Sequence, residues 1–202
     1  MNTKTNANIN TNATNNPISA LDVLLQRASV HHLSDPAPTK GQLEIMFRAA
    51  LRAPDHGRLH PFRFLLIAAN ARQKLADLFI KATQASPKTA ENPLAIAKAG
   101  QKPFRAATII TVIYTPKTHP KIPFAEQKIT AGCAAHAILY AAHAQGIGAI
   151  WHTGELSRDA LVKEGLGLKN EEEIIAFIYL GTPNGAAPEI PTLLPSDFVR
   201  DF

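Results

Sequence analysis

"RAPDHGRLHPFRFLLI", residues 52–67, runs from the end of one element through a polar turn into another. Pro54 and Pro61 bracket Asp55, His56, Arg58 and His60, and the apolar run Phe64–Ala69 follows at once. Proline pushes the residue before it away from helical backbone, so a helix arriving from upstream must stop near Arg52. The run beyond is short, apolar and bounded by turn residues, which predicts a buried strand. A helix, a charged turn and a strand in immediate succession point to an α/β or α+β fold. They also place donors, held between prolines, at the mouth of a strand.

The same reading extends in both directions. Upstream, Lys40–Arg52 carries Leu43, Met46, Phe47 and Ala50 on one helical face, behind the turn-rich Ser34–Thr39. Ile18–Arg27 has helical spacing too, with Ser19 as its N-cap. Downstream, Ala71–Thr83 returns to a helical period, and Ser86–Pro103 is expected to be a loop with a short helix, a candidate lid. Thr108–Tyr114 is β-branched and apolar, the clearest strand of the chain. After the proline-studded Thr115–Pro123 comes the longest helix, Ala125–Gln145, stopped by Gly146. Ile147–Gly154 and Ile174–Gly181 read as strands, with a helix over Ser157–Leu166 between them. From Thr182 the proline-rich end reads as an extended arm. The small residues of Ala125–Gln145 permit close approach of another backbone, inside the core or across a two-fold axis.

The chain has 202 residues, 46% of them hydrophobic, enough for one domain with a sizeable core over residues 17–202. Met1–Asn16 is polar and Asn/Thr-rich with no apolar h-region, so it reads as a disordered tail and not as a secretory signal. Cys133 is the only cysteine, which excludes an intrachain disulfide and fits a reducing cytoplasm. No apolar run has the length to span a bilayer, so no membrane partner is expected. The net charge of +5 favours anionic partners. Its lysines and arginines are scattered singly with few aromatics between them, which argues against nucleic acid and for a phosphate-bearing small molecule.

Eight histidines raise the question of a metal. His56 and His60 are spaced i,i+4, but Pro54, Gly57 and Pro61 oppose a helix there. His136 and His143 share a helical face about 10.5 Å apart along the axis, too far for one ion. No metal site is expected. Cys133 lies mid-helix, away from any N-terminus that would stabilise a thiolate, and reads as a small core residue. Gly146–Gly148 lacks the third glycine of a dinucleotide fingerprint. Arg27, Ser29, His31 and His32 stand together after a helix, either as an ordinary polar helix end or as a phosphate clamp.

Four stretches together resemble the nitroreductase family, nearest its short bacterial NAD(P)H nitroreductase branch. They are "LLQRAS" (24–29), the opening stretch, "KPFRAATIITVIY" (102–114) and "AQGIGAIWHTG" (144–154), with "FIYLGTP" (177–183) in the expected place. The resemblance implies an α+β, nitroreductase-like fold. A central, mostly antiparallel sheet is flanked by helices, the long helix lies at a dimer interface, and the C-terminal arm is extended. It implies a homodimer binding FMN between subunits and drawing electrons from NAD(P)H. Arg27, Ala28 and Ser29 are then expected near the ribityl chain and phosphate. Arg52 and His56 would face the flavin of the other subunit, and Trp151, His152 and Thr153 would lie along the isoalloxazine.

Three departures from the family pattern stand out. Ala28 replaces a second arginine, which weakens phosphate binding or shifts it to another donor. Phe62 replaces a tryptophan, a packing change. His152 replaces the arginine of close relatives and makes a fixed charge titratable. The expected activity is a ping-pong reduction of a small electrophilic acceptor (nitroaromatic, quinone or activated alkene), with the chemistry at the flavin and no catalytic side chain. Reductive dehalogenation, flavin fragmentation, or a flavin-binding redox or scaffold protein with little turnover are the alternatives.

Overall fold

The structure is a computed structural model that describes residues 19–202; the expected tail lies outside the described residues. The α-helices are α1 (Ala20–Gln26), α2 (Lys40–Ala50), α3 (Ala71–Ala85), α4 (Pro93–Gln101), α5 (Phe124–Ala144) and α6 (Ala160–Gly165). The strands are β1 (Leu33–Ser34), β2 (Phe62–Ala68), β3 (Thr108–Tyr114), β4 (Gly148–His152) and β5 (Glu173–Pro183). β5 is the hub: β3 and β4 both pair with it, β2 pairs outside β3, and β1 pairs with its last residues. Every pairing is antiparallel.

Strand alternation divides the core into two layers. Ile110, Val112, Ala149, Ala176, Ile178 and Leu180 face α2 and α5, against Met46, Ala134, Ala135 and Ile138. Ile109, Ile150, Ile174, Phe177 and Tyr179 face the other way, against Leu75 and Phe79 of α3, Ala99 of α4 and Val162 of α6. The result is three layers, helix, sheet, helix.

Several local expectations need correction. The stretch expected as a buried strand is β2, which among the described residues is an edge strand pairing only with β3 and leaving Leu66 48% exposed. It begins at Phe62, because Pro61 already has extended geometry available and Pro61 O accepts from Thr115 N. α2 ends at Ala50, before Pro54 can act, its Leu51 cap bonding back to Phe47 O. The candidate lid packs as α4 on α3, with Ala99 buried. β1 was not anticipated at all, being too short to show periodicity.

The long helix settles where its small residues point. Ala131, Ala134, Ala135 and Ala142 are fully buried against the protomer's own sheet and α2. Ile129, Cys133, His136, Tyr140 and His143 form the opposite stripe, at spacings of three and four, with Ile129 66% exposed. Cys133 is therefore half-buried on the outer side and is not a core residue.

Two glycines bring the segment after α1 onto the sheet. A Cβ on Gly181 would stand 2.8 Å from the Ser34 carbonyl oxygen, and one on Gly148 would stand 2.5 Å from Leu33 Cδ2. Their absence lets β1 lie flush, and Val30 N to Ala149 O and Asn184 N to His32 O, both 3.0 Å, fasten the rest. Residues 28–34 are thus held along one end of β4 and β5. At the opposite end, Arg63 of β2 makes a bidentate pair with Glu172, Nε to Oε1 at 2.9 Å and Nη2 to Oε2 at 2.7 Å. The Lys169 amide also donates to that carboxylate, and both contacts hold it below the usual carboxylate range, Arg63 most of all.

Candidate functional site

Three cavities adjoin in a row, each sharing lining residues with the next, and are taken together as one groove. The first, about 850 Å³, is walled by Ala28, Ser29, His143, Gly146–Gly148 and residues 183–188 of the arm. His31, His32 and Asn184 lead from it into a second, about 470 Å³, that reaches Arg105, His152 and Tyr179. Those last three continue into a small recess with Lys102, Thr153, Leu156 and Phe177. Among the described residues no carboxylate lines any part of the groove.

The sheet explains this gathering. On β4, Ala149 and Trp151 face α5, so Ile150 and His152 face α3. His152 packs edge-on against Tyr179, the rings 5.0 Å apart. The short turn before β3 delivers Lys102 and Arg105 to the same place, and the glycine-seated segment delivers His31. Burial lowers the pKa of His152 first, and Arg105, His31 and Lys102 lower it further. Burial and Arg105 likewise lower that of Lys102, partly opposed by Glu155. Burial pushes the Tyr179 phenol up to about 12, so it remains a donor. A recess with this much positive charge and no internal acid suits an anionic or electron-rich edge.

His152 therefore titrates on the acid side of an ordinary histidine. The folded state resists its protonation, so its contribution to stability is complete above the unfolded value near 6.5 and falls away as pH drops below it. His152→Gln removes that loss. Relative to wild type, the ligand-free variant should melt higher at pH 5 than at pH 8. An identical difference at both pH values would mean that this ring does not titrate.

The expected residues are distributed as follows. Ala28 and Ser29 line the groove, as do His152 and Thr153. The Arg27 guanidinium lies over the Tyr140 ring at 5.9 Å, beside the groove and not among its lining residues. Trp151 packs into the α5-side core, so its ring is on the wrong side of the sheet for the groove. Arg52 and His56 lie elsewhere in the protomer, where His56 Nδ1 meets Glu126 Oε2 at 2.8 Å in the first turn of α5. Sequence reading did not nominate Lys102, Arg105 or Tyr179 as site residues; each looks like an ordinary loop charge or strand aromatic until the topology assembles them.

The Arg52–His60 turn is built rigidly. Asp55, its side chain only 10% exposed, accepts from Leu59 N at 3.2 Å and His60 N at 2.7 Å. Gly57, Arg58 and His60 all have left-handed backbone, φ 73°, 56° and 48°. Such conformations in non-glycine residues cost about 1–2 kcal/mol each and persist where their surroundings hold them. Thr130 of α5 adds a further tie, donating to Pro54 O at 3.0 Å. Among the described residues no group of three metal-ligating side chains occurs, and no helix is long and apolar enough to cross a membrane.

A model of the nitroreductase family matches residues 24–182. The chain belongs to the nitroreductase family. This chain is 38% identical over 186 residues to the Escherichia coli K12 protein named "Putative NAD(P)H nitroreductase YdjA", covering 92% of this chain and 100% of the relative. Its fold matches a nitroreductase-like family protein from Bacillus cereus with TM-score 0.79 at 20% identity, over 94% of this chain and 99% of that one. A Desulfovibrio desulfuricans protein described as a "putative nitroreductase in complex with FMN" matches with TM-score 0.70 at 24% identity, over 93% and 98% of the two chains. The α+β architecture implied by the resemblance is therefore the fold of this chain, and as a family member it is an oxidoreductase.

Proposed function

We propose that this chain is an FMN-dependent oxidoreductase that takes reducing equivalents from NAD(P)H and passes them to a small electrophilic acceptor. The observation that carries the proposal is the continuous groove, acid-free and cationic at its inner end, that starts at Ser29 and ends at His152. Its volume suits a cofactor of this size. When bound, FMN supplies the hydride and electron chemistry, alternating between its oxidised and reduced forms. Ser29 and the Gly146–Gly148 backbone border the space for the ribityl phosphate. Lys102, Arg105 and His31 favour the pyrimidine edge, where negative charge accumulates on reduction. Tyr179 and Phe177 form an apolar floor. The NAD(P)H in the name of the E. coli relative and the FMN in the Desulfovibrio structure support the same assignment.

The proposed site needs two copies of the chain. His56 is tied to Glu126 at the start of α5, whereas His143 and the Arg27–Tyr140 contact lie near its end. At 1.5 Å per residue these are about 25 Å apart along the helix axis, which favours Arg52 and His56 meeting the flavin of the other protomer. Antiparallel α5 helices across a two-fold axis bring the start of one beside the end of the other. The outer stripe of α5 is flanked by exposed Leu21, Leu24 and Leu25 of α1, an apolar surface suited to such pairing. The remaining proposed features are a single FMN-binding domain and cytoplasmic residence.

Anaerobic mixing tests the proposal directly. The purified protein should carry or acquire FMN absorbance, bleach on mixing with NADH or NADPH, and regain colour with a nitroaromatic, quinone or activated alkene. Failure to bind FMN at micromolar concentration would refute the reading. Bleaching without reoxidation by any acceptor would leave a flavin-binding redox protein.

A further inference from the structure

We propose that His143 supplies the phosphate contact that Ala28 lacks, and that FMN binding to this chain therefore takes up a proton at the His143 ring. The inference rests on the FMN reading above and concerns one side chain of the same groove. Family relatives are expected to place a second arginine where this chain has Ala28, a methyl group that offers a phosphate nothing. Across the same 850 Å³ cavity, α5 presents His143 from its last turn.

The His143 ring has an unmet need. Its Nε2 is shut off from solvent and, among the described residues, has no hydrogen-bond partner. Buried ring nitrogens in folded proteins are normally paired, so an orphan in a cavity wall marks where a ligand atom belongs. Within the protomer the cavity around it is formed by Ser29, Gly146, Gly148 and the arm, with no carboxylate among the described residues that line it. The proposal includes a turn of the ring that brings this nitrogen to face that space.

The charged and titratable neighbours fix the direction of the coupling. Arg27 approaches from the end of α1, His31 and His32 line the cavity from the segment before β1, and Tyr140 and His136 precede His143 on α5. Burial first and Arg27 second lower the pKa of His143, so the ring is neutral at pH 7 before the ligand arrives. A phosphate dianion opposes both influences and draws a proton onto the ring. A neutral, buried ring thereby becomes a charged donor only when an anion is present, whereas arginine would be charged throughout.

The test compares FMN with riboflavin, which has the same ring system without the phosphate. Binding is measured by flavin fluorescence between pH 6.5 and 8.5, where free phosphate is already mainly dianionic. Calorimetry in two buffers of different ionisation enthalpy counts protons. In the wild type, FMN affinity should weaken as pH rises, with net proton uptake on binding, while riboflavin shows neither effect. His143→Gln should weaken FMN about tenfold at pH 6.5, leave riboflavin within about twofold, and abolish the uptake. His143→Arg should restore FMN affinity and leave it independent of pH. The proposal is overturned if His143→Gln weakens both flavins alike, or if proton uptake survives the substitution, which would move it to His31 or His32. It is also overturned if His143→Gln leaves FMN affinity unchanged. A wild type that binds neither flavin would instead refute the FMN reading itself.

Discussion

Ile129→Glu should make the protein monomeric and, in the same step, strip it of FMN. Ile129 is 66% exposed on the outer stripe of α5, so a glutamate there meets only water in an isolated protomer and should leave its fold intact. In the proposed dimer the same position faces the partner's α5, where an unpaired charge would be buried at the centre of an interface. Stranding a buried charge costs about 3–5 kcal/mol, which corresponds to a loss of more than a hundredfold in dimer affinity. In that dimer Arg52 and His56 would reach the flavin only from the partner, so FMN retention should fall together with dimerisation. Sedimentation and flavin fluorescence on the same sample read both quantities. A folded Ile129→Glu dimer that still holds FMN would place the interface elsewhere.

The second large effect concerns stability. Arg63→Ala leaves Glu172, whose side chain is 7% exposed, without its bidentate partner. Removing one member of a buried pair typically destabilises by about 3–5 kcal/mol. Arg63 is itself 34% exposed, so water can partly replace it, and about 3 kcal/mol is the expected size. For a chain of this length that corresponds to a melting temperature lower by about 6–12 °C. The pH dependence gives an independent check. The depressed Glu172 carboxyl contributes stability that is fully present above its unfolded value near 4.3 and is lost as pH falls through the lower folded value. The difference between wild type and Arg63→Ala should therefore shrink in acid. A difference of less than 1 kcal/mol at pH 7, about the size of an exposed pair, would mean that Glu172 is hydrated in solution.

What could be read in the sequence depended on how local the cause was. Ser19 caps α1 by accepting from Asp22 N, and Thr108–Tyr114 is a strand with the expected bounds, because both are decided within a few residues. The small residues of α5 were legible as a close-packing surface, but not which neighbour each one served. Ala134 and Ala135 prove to serve the protomer's own core, so bulky substitutions there would damage the fold before they tested a dimer. Trp151 and His152 were read together as one segment, yet strand alternation sends them to opposite faces of the sheet. Lys102 and Arg105 come from a turn before β3 and meet His152 only through the order of the sheet. No periodicity or motif in one chain encodes that meeting.

The length of α5, which holds the Arg52–His56 cluster apart from the Ser29–His143 cluster, has a consequence for inheritance. In the proposed dimer each flavin draws one cluster from each copy. Two alleles damaged at different ends are then not equivalent to two damaged at the same end. When both are expressed in one cell, a mixed dimer combines the intact start of one α5 with the intact end of the other. One of its two sites is whole and the other carries both lesions. Such alleles complement each other inside a single protein, and no homodimer of either could do the same.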